Sequence, residues 1–181
     1  RYITPEEILS YLNQRSGLLD GVVISGGEPL LQEELIPFIR QIKELGYAVK
    51  LDTNGTNNEN LGVLLEEGLV DFVSLDMKNS AGKYPLTSGL KSDMEYKHPI
   101  SESVRLLQEY KVEHEFKTTV VKEFHTVDDL IKIAKFIGSD AHYVLQQFVS
   151  SDSVIQPDLH AYTAEEMVEM KKAVEPYVKT V

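Results

Sequence analysis

A chain of 181 residues with 42% hydrophobic and 26% charged residues has the make-up of one globular domain, spanning 1–181, that buries about two thirds of its unfolded surface. Its formal net charge of -11 argues against a nucleic-acid partner, because phosphate binding is driven by clustered Lys and Arg. No apolar run nears the roughly 20 residues of a membrane span, and the absence of cysteine excludes a disulfide framework or thiolate metal site built from these residues.

No targeting segment opens the chain, so cytoplasm is the default expectation. The first residue is Arg1, and a fragment or processed form is expected. Thr4-Pro5-Glu6-Glu7 reads as a helix start: Thr4 caps, Pro5 suits the first turn and Glu7 completes a capping box. Ile8, Leu9 and Leu12 supply the apolar face of this helix, up to Gly17. A strand over 21–25 follows. The next helix, over 32–45, carries Leu35, Phe38, Ile39, Ile42 and Leu45 at helical spacing, and Gly46 ends it. A strand over 48–53, a helix near 58–67 closed by Gly68 and a strand over 71–76 come next.

The stretch from Asn79 to Pro99 holds Gly82, Pro85, Ser88, Gly89 and Ser92 and reads as a long loop beyond the strand ends. The alternation resumes with a helix over 100–110 and a strand over 114–121. A helix over 126–137 shows Val127, Leu130, Ile131, Ala134 and Ile137 on one side. A strand over 142–148 and a helix over 163–175 complete the series. Five strands with helical crossovers imply a parallel α/β sheet covered on both faces. An open doubly wound sheet and part of a (β/α) barrel both fit this order.

The chemistry gathers where strands end, as it does in parallel α/β proteins. The apolar run Val22-Val23-Ile24 passes into Ser25-Gly26-Gly27-Glu28-Pro29. Two glycines allow close main-chain approach to a ligand, and a tight turn suits them as well. The run is neither a Gly-x-Gly-x-x-Gly fingerprint nor a phosphate loop. Glu28 suits either a ligand amine or the start of a helix.

Asp52-Thr53-Asn54-Gly55 forms a second such end, readable as a turn with Asp52 as a helix cap or as a ligand rim. Asp52 alternates with Lys50, so a charge faces the covered side and needs a partner. Asp76-Met77-Lys78 is the third end; Asp76 and Lys78 share a face and can pair or jointly grip a zwitterion. These polar ends on successive strands are expected to converge. Gln146 suits adenine, ribose or a neighbouring strand end. His98, His114, His125, His142 and His160 lack metal-ligand spacing and read as structural or solvated, with Thr126 after His125 as a helix cap.

The three motifs, in this order and spacing, resemble radical S-adenosylmethionine enzymes. In that family Gly-Gly-Glu-Pro on the second barrel strand contacts the methionyl amine; the matching residues are Gly26, Gly27, Glu28 and Pro29. Asp52, Thr53 and Asn54 resemble the third-strand rim of the activating branch, where Asp52 would orient the shell or bind a cation. Asp76-Met77-Lys78 is similar to that branch's fourth-strand Asp-x-Lys, which faces the methionyl carboxylate and ribose. Gly17–Gly21, Lys83–Gly89 and Val144–Phe148 resemble the single-chain activating proteins of anaerobic ribonucleoside-triphosphate reductase.

The resemblance implies a partial (β/α)6 TIM-like barrel. It implies S-adenosylmethionine and a [4Fe–4S] cluster as cofactors, and a flavodoxin- or ferredoxin-type electron donor. The implied activity is that of an oxidoreductase that cleaves S-adenosylmethionine reductively to abstract hydrogen from a glycine of a glycyl-radical enzyme. The loop over 79–99 would border the groove for that glycine-bearing segment, and Gln146 would complete the cofactor-binding set.

Two departures qualify the likeness. The family holds its cluster through Cys-x-x-x-Cys-x-x-Cys after the first strand, thiolates being what bind such clusters, and this chain has no cysteine. Truncation before Arg1 is therefore expected, with the five strands equivalent to barrel strands two to six, a bare sheet edge and no catalysis by these residues alone. Where some activases place a histidine near the adenosyl group, this chain has Gln146, Gln147 and Val149, which leaves the adenosine contacts there open. Two other readings fit the same residues: a radical S-adenosylmethionine enzyme acting on a small molecule, such as a 7-carboxy-7-deazaguanine synthase, and a cluster-free α/β binding domain.

Overall fold

The computed structural model describes residues 3–89, 94–151, 154, 156 and 158–181. In chain order the elements are α1 (Pro5–Gln14), β1 (Gly21–Ile24), α2 (Leu35–Glu44), β2 (Ala48–Thr53), α3 (Asn58–Glu66), β3 (Phe72–Asp76), α4 (Tyr84–Ser88), α5 (Met94–Tyr110), β4 (Glu113–Val120), α6 (Val127–Ile137), β5 (Tyr143–Gln147) and α7 (Ala164–Val174). The strands form one sheet in the order β1-β2-β3-β4-β5, with β1–β2 and β4–β5 pairing parallel. Each strand lies beside its sequence neighbour, with no reversal of order. That strand order is consistent with part of a (β/α) barrel and differs from a doubly wound sheet, whose order turns back at a switch point. Among the described residues no helix is long and apolar enough to cross a membrane.

Local chemistry sets most element boundaries. Thr4 Oγ1 accepts from the Glu7 amide at 3.2 Å, and a Glu7 carboxylate oxygen accepts from the Thr4 amide at 3.1 Å. The same reciprocal cap opens α6 through Thr126 and Asp129 and α7 through Thr163 and Glu166. Each such cap is worth about 1 kcal/mol.

Two boundaries differ from the sequence pattern. The second helix starts at Leu35 rather than 32, because Pro29–Leu31 forms a separate 3₁₀ turn capped by Glu28. The stretch expected as a loop over 79–99 contains α4, which ends on left-handed Gly89, and the first residues of α5, which starts at Met94 rather than 100. Pro99 sits inside α5, where it lacks an amide to donate. Burial of Ile100, Ser103, Val104 and Leu107 along one side holds the helix together across it. Ser92 of that expected loop, and the side chain of His98, lie outside the described residues.

The chain divides into two compact units, residues 1–74 with 100–114 and residues 75–99 with 115–181. The core of the first is Val49, Leu51 and Val73 from its strands with Ile39, Ile42, Leu61, Leu64 and Leu107 from its helices. The core of the second gathers Phe116, Val120 and Tyr143 with Leu130, Ile133, Ala134 and Ile137 of α6 and Met170 and Val174 of α7. The Tyr143 hydroxyl donates to Thr118 Oγ1 at 2.9 Å, and Thr118 Oγ1 donates to the Met77 carbonyl at 2.7 Å. Burial pushes the Tyr143 phenol well above its usual range.

The buried stripe of α6 also corrects the sequence reading. Counting three, four and seven residues on from Leu130 lands on Ile133, Ala134 and Ile137, so Val127 is 38% exposed and Ile131 only half-buried. In α2, Phe38 and the adjoining Leu45 are likewise half-buried. Ile39→Ala and Ile133→Ala are each expected to lower the unfolding free energy by about 2–5 kcal/mol through cavity formation, with Ile131→Ala losing clearly less. Urea titration measures all three, and equal losses at 131 and 133 would contradict this facing.

Candidate functional site

In the first unit, β1 ends at Ile24 and the chain runs over Ser25, Gly26 and Gly27 into Glu28. Gly26 has φ +134, a conformation side-chain residues rarely adopt, and a Cβ added at Gly26 or Gly27 would meet no atom within 4 Å. Main chain therefore lies bare at this point. An open cavity of about 380 Å³ is lined in part by Ser25, Gly27, Glu28 and Gln32.

The turn is held by Glu28. Its Oε1 accepts from the Leu30 amide at 3.1 Å and from the Thr53 hydroxyl at 2.6 Å, while Oε2 accepts from the Asn54 amide at 2.8 Å. One carboxylate thus joins the ends of β1 and β2, so the sequence-predicted Gly26, Gly27, Glu28, Pro29, Thr53 and Asn54 do come together. A carboxylate offers about four acceptor directions, so capacity remains on Oε2. Around it, Thr53 Oγ1 accepts from the Gly55 amide at 3.0 Å, Asn54 Oδ1 accepts from the Thr56 amide at 2.9 Å, and Ser103 Oγ donates to the Gly55 carbonyl at 2.7 Å. Asn57 and Asn60 both donate to the Leu30 carbonyl.

Asp52 has the partner that alternation demanded, but loosely. Lys50 Nζ lies 3.8 Å from Asp52 Oδ1 and 4.9 Å from the centre of the Phe72 ring. Asp52 Oδ1 is buried without a hydrogen bond, and so is Ser74 Oγ. An unsatisfied buried polar atom costs about 1–3 kcal/mol.

In the second unit, Asp76 and Lys78 form an ion pair, as their shared face predicts. Between them Met77 is 2% exposed; its amide donates to the Lys117 carbonyl at 2.7 Å. The main chain beyond is pinned by side chains the sequence reading did not assign. His125 Nε2 lies 2.8 Å from the Lys78 carbonyl, and Asn79 Nδ2 donates to the Phe124 carbonyl at 3.1 Å and to Thr87 Oγ1 at 2.8 Å. Asp129 accepts from Lys83 Nζ at 2.6 Å, the Thr126 hydroxyl at 2.6 Å and Ser80 Oγ at 3.1 Å. The Thr-x-x-Asp spacing at 126–129 was the available signal. Gln146, on β5 opposite Thr119, is exposed. His114 bonds to the Val112 carbonyl, His142 to Thr180 Oγ1 and His160 to the Glu123 carboxylate, and among the described residues no cluster of His and acids could hold a metal.

Burial raises the Asp129 carboxyl, but the bonds from Lys83, Thr126 and Ser80 outweigh it and bring the pKa down to about 2, from 3.8. Burial holds His125 below its ordinary 6.5 against the backbone bonds to Lys78 and Val121. Both depressions stabilise the folded chain above the unfolded pKa, and that stability is lost as pH falls. For Asp129 the loss is about 2 kcal/mol between pH 4 and 2. In urea titrations across that range Asp129→Asn is expected to flatten the slope; an unchanged slope would refute the assignment. Glu28→Ala strands the Thr53 hydroxyl and the Asn54 amide and is expected to lower stability by about 1–3 kcal/mol, and an unaffected denaturation midpoint would count against the joint.

Comparison with known proteins extends this geometry. The Radical SAM superfamily signature matches residues 1–137. A Methanocaldococcus jannaschii protein named as a glycyl-radical enzyme activating enzyme is 36% identical over 155 residues, covering 84% of this chain and 64% of that relative; the chain therefore spans a little under two thirds of its length. A solved domain of pyruvate-formate lyase-activating enzyme from Bacteroides vulgatus shares the fold at TM-score 0.69 and 14% identity, covering 90% of this chain and 99% of that one. Streptococcus suis SuiB, solved bound to S-adenosylmethionine, does so at TM-score 0.69 and 15% identity, covering 97% of this chain and 39% of its own. With its signature matched over residues 1–137 and its parallel sheet shared with these structures, the chain belongs to the radical SAM superfamily.

Proposed function

We propose that the protein containing this chain is an activase: an oxidoreductase that uses S-adenosylmethionine to install a glycyl radical on a partner enzyme. The motifs favour anaerobic ribonucleoside-triphosphate reductase as that partner, with a flavodoxin- or ferredoxin-type electron donor and a cytoplasmic setting. The observation that carries the reading is the bare main chain at Gly26 and Gly27, set directly before the Glu28 joint. The names of the Methanocaldococcus jannaschii relative and of the Bacteroides vulgatus structure support an activating role, and the ligand of the Streptococcus suis structure supports the cofactor.

The first unit's residues fit the methionyl end of S-adenosylmethionine. Exposed backbone at Gly27 offers polar groups to a ligand at close range, and the free capacity of Glu28 Oε2 accepts from an ammonium. When bound, S-adenosylmethionine supplies a sulfonium whose one-electron reduction is the source of the radical chemistry. These residues hold and orient the ligand. A [4Fe–4S] cluster is another matter: it needs thiolates, and the chain has none. No step through a cluster follows from these residues; in the proposed activase other residues hold it.

Gly27 provides the decisive substitution. A side chain there meets nothing in the free chain, so Gly27→Val is expected to leave the melting temperature unchanged. It should weaken S-adenosylmethionine binding about tenfold or more, read by calorimetry, because it covers the exposed backbone. Asp76→Ala and Lys78→Ala, each tested alone, are expected to weaken binding with little loss of stability, since both side chains are partly exposed and lie outside the core. Undiminished affinity in Gly27→Val would end the reading. Anaerobic assay of the whole protein then separates a glycyl-radical signal on a partner from turnover of a small molecule, the outcome that would move it to the deazaguanine-type reading.

A further inference from the structure

We propose that His125 is the positioning residue of the second unit's strand end, fixing the Lys78 carbonyl and with it the direction in which Asp76 and Lys78 are presented. This rests on the reading of those two residues as ligand-binding. The need arises where β3 stops. The Met77 amide and carbonyl are still bonded by the neighbouring strand, through Lys117 and Thr118. One residue later the Lys78 carbonyl has passed the end of the sheet pairing, and the imidazole takes it at 2.8 Å.

The ring is set for one job. Its Nδ1 accepts from the Val121 amide at 3.1 Å, so the proton sits on Nε2, which donates to Lys78. Two backbone groups, one just past β3 and one just past β4, thereby fix the tautomer and the ring plane together. The ring cannot swing away: His125 is 1% exposed, its amide donates to the Val121 carbonyl at 2.9 Å, and its own carbonyl accepts from the Tyr162 hydroxyl at 2.6 Å. The next residue is pinned as well, Asn79 donating to the Phe124 carbonyl. The side chains of Lys78 and Asp76, by contrast, stay 38% and 24% exposed. Clamped main chain under accessible charged tips is the arrangement that presents two side chains in a set direction.

Two substitutions divide the ring's bonds. H125Q keeps a donor at the reach of Nε2 and gives up the acceptor for Val121; H125N keeps an acceptor near Val121 and is too short for Lys78. S-adenosylmethionine affinity by calorimetry, the melting temperature, and the Lys78 carbonyl carbon shift by NMR are measured on both. Affinity is expected to fall about fivefold or more in H125N and to stay near wild type in H125Q, with the carbonyl shift moving in H125N alone. Equal affinity losses in the two variants, or losses that track melting temperature, would overturn the proposal. So would imidazole nitrogen shifts in the unsubstituted chain that place the proton on Nδ1 at neutral pH. If the unsubstituted chain binds no S-adenosylmethionine, the functional reading fails, and the carbonyl and imidazole shifts still decide the role of His125.

Discussion

The first unit's strand ends depend on the Glu28 carboxylate. Charge-assisted bonds to a carboxylate are roughly twice as strong as neutral ones, and Glu28 spends three of them within its own unit, on Leu30, Thr53 and Asn54. Gly26 and Gly27 have no side chain to anchor them, so their conformation has to be imposed from a neighbouring residue. Glu28 does this from the next position in the chain. The backbone left bare by the glycines is thereby set before any ligand arrives, which removes ordering cost from binding.

The second unit meets the same requirement with different chemistry. The chain after β3 carries polar groups into buried surroundings: Asn79 is 2% exposed, Ser80 5% and Asp129 2%. Buried polar groups must be bonded: Asn79 ties the segment after β3 to the turn between β4 and α6 through the Phe124 carbonyl, and Ser80 ties it to the first turn of α6 through Asp129. The Lys83–Asp129 pair belongs to this network. Lys83 keeps 41% of its side chain exposed while Asp129 keeps 3%, so loss of the lysine would leave the carboxylate as the stranded charge. The effect of the pair is to select one path for residues 78–83.

Legibility in the sequence followed the range of the interactions. Capping at Thr4 and Thr126 was readable because donor and acceptor lie three residues apart. The strand ends at Gly26, Asp52 and Asp76 were readable because apolar runs stop there in glycines or charges. Long-range matters were not. Pro99 reads as a stop, yet α5 runs through it because of the residues it buries. Ile131 and Ile133 look equivalent until the covering element chooses between them. The sequence offered Glu28 either a ligand amine or a helix start; the structure makes it the cap of the 3₁₀ turn at Pro29–Leu31 and also joins it to the end of β2, with acceptor capacity to spare. Beyond the local cap, His125 and Asp129 engage the Lys78 carbonyl and the Lys83 ammonium, each more than forty residues away.

Charge balance ties the first unit's geometry to the proposed ligand. Lys50 at 3.8 Å from Asp52 Oδ1 is too far for a hydrogen bond, so it lowers the electrostatic cost of the buried acid without satisfying that oxygen. Two acids, Glu28 and Asp52, and one lysine, Lys50, give these strand ends a formal sum of one negative charge, and the donors bonded to Glu28 are neutral. For the proposed ligand, an ammonium supplies one positive charge and an N–H donor for the acceptor capacity left on the Glu28 carboxylate oxygens. A ligand offering a carboxylate or phosphate to the same oxygens meets repulsion and no donor.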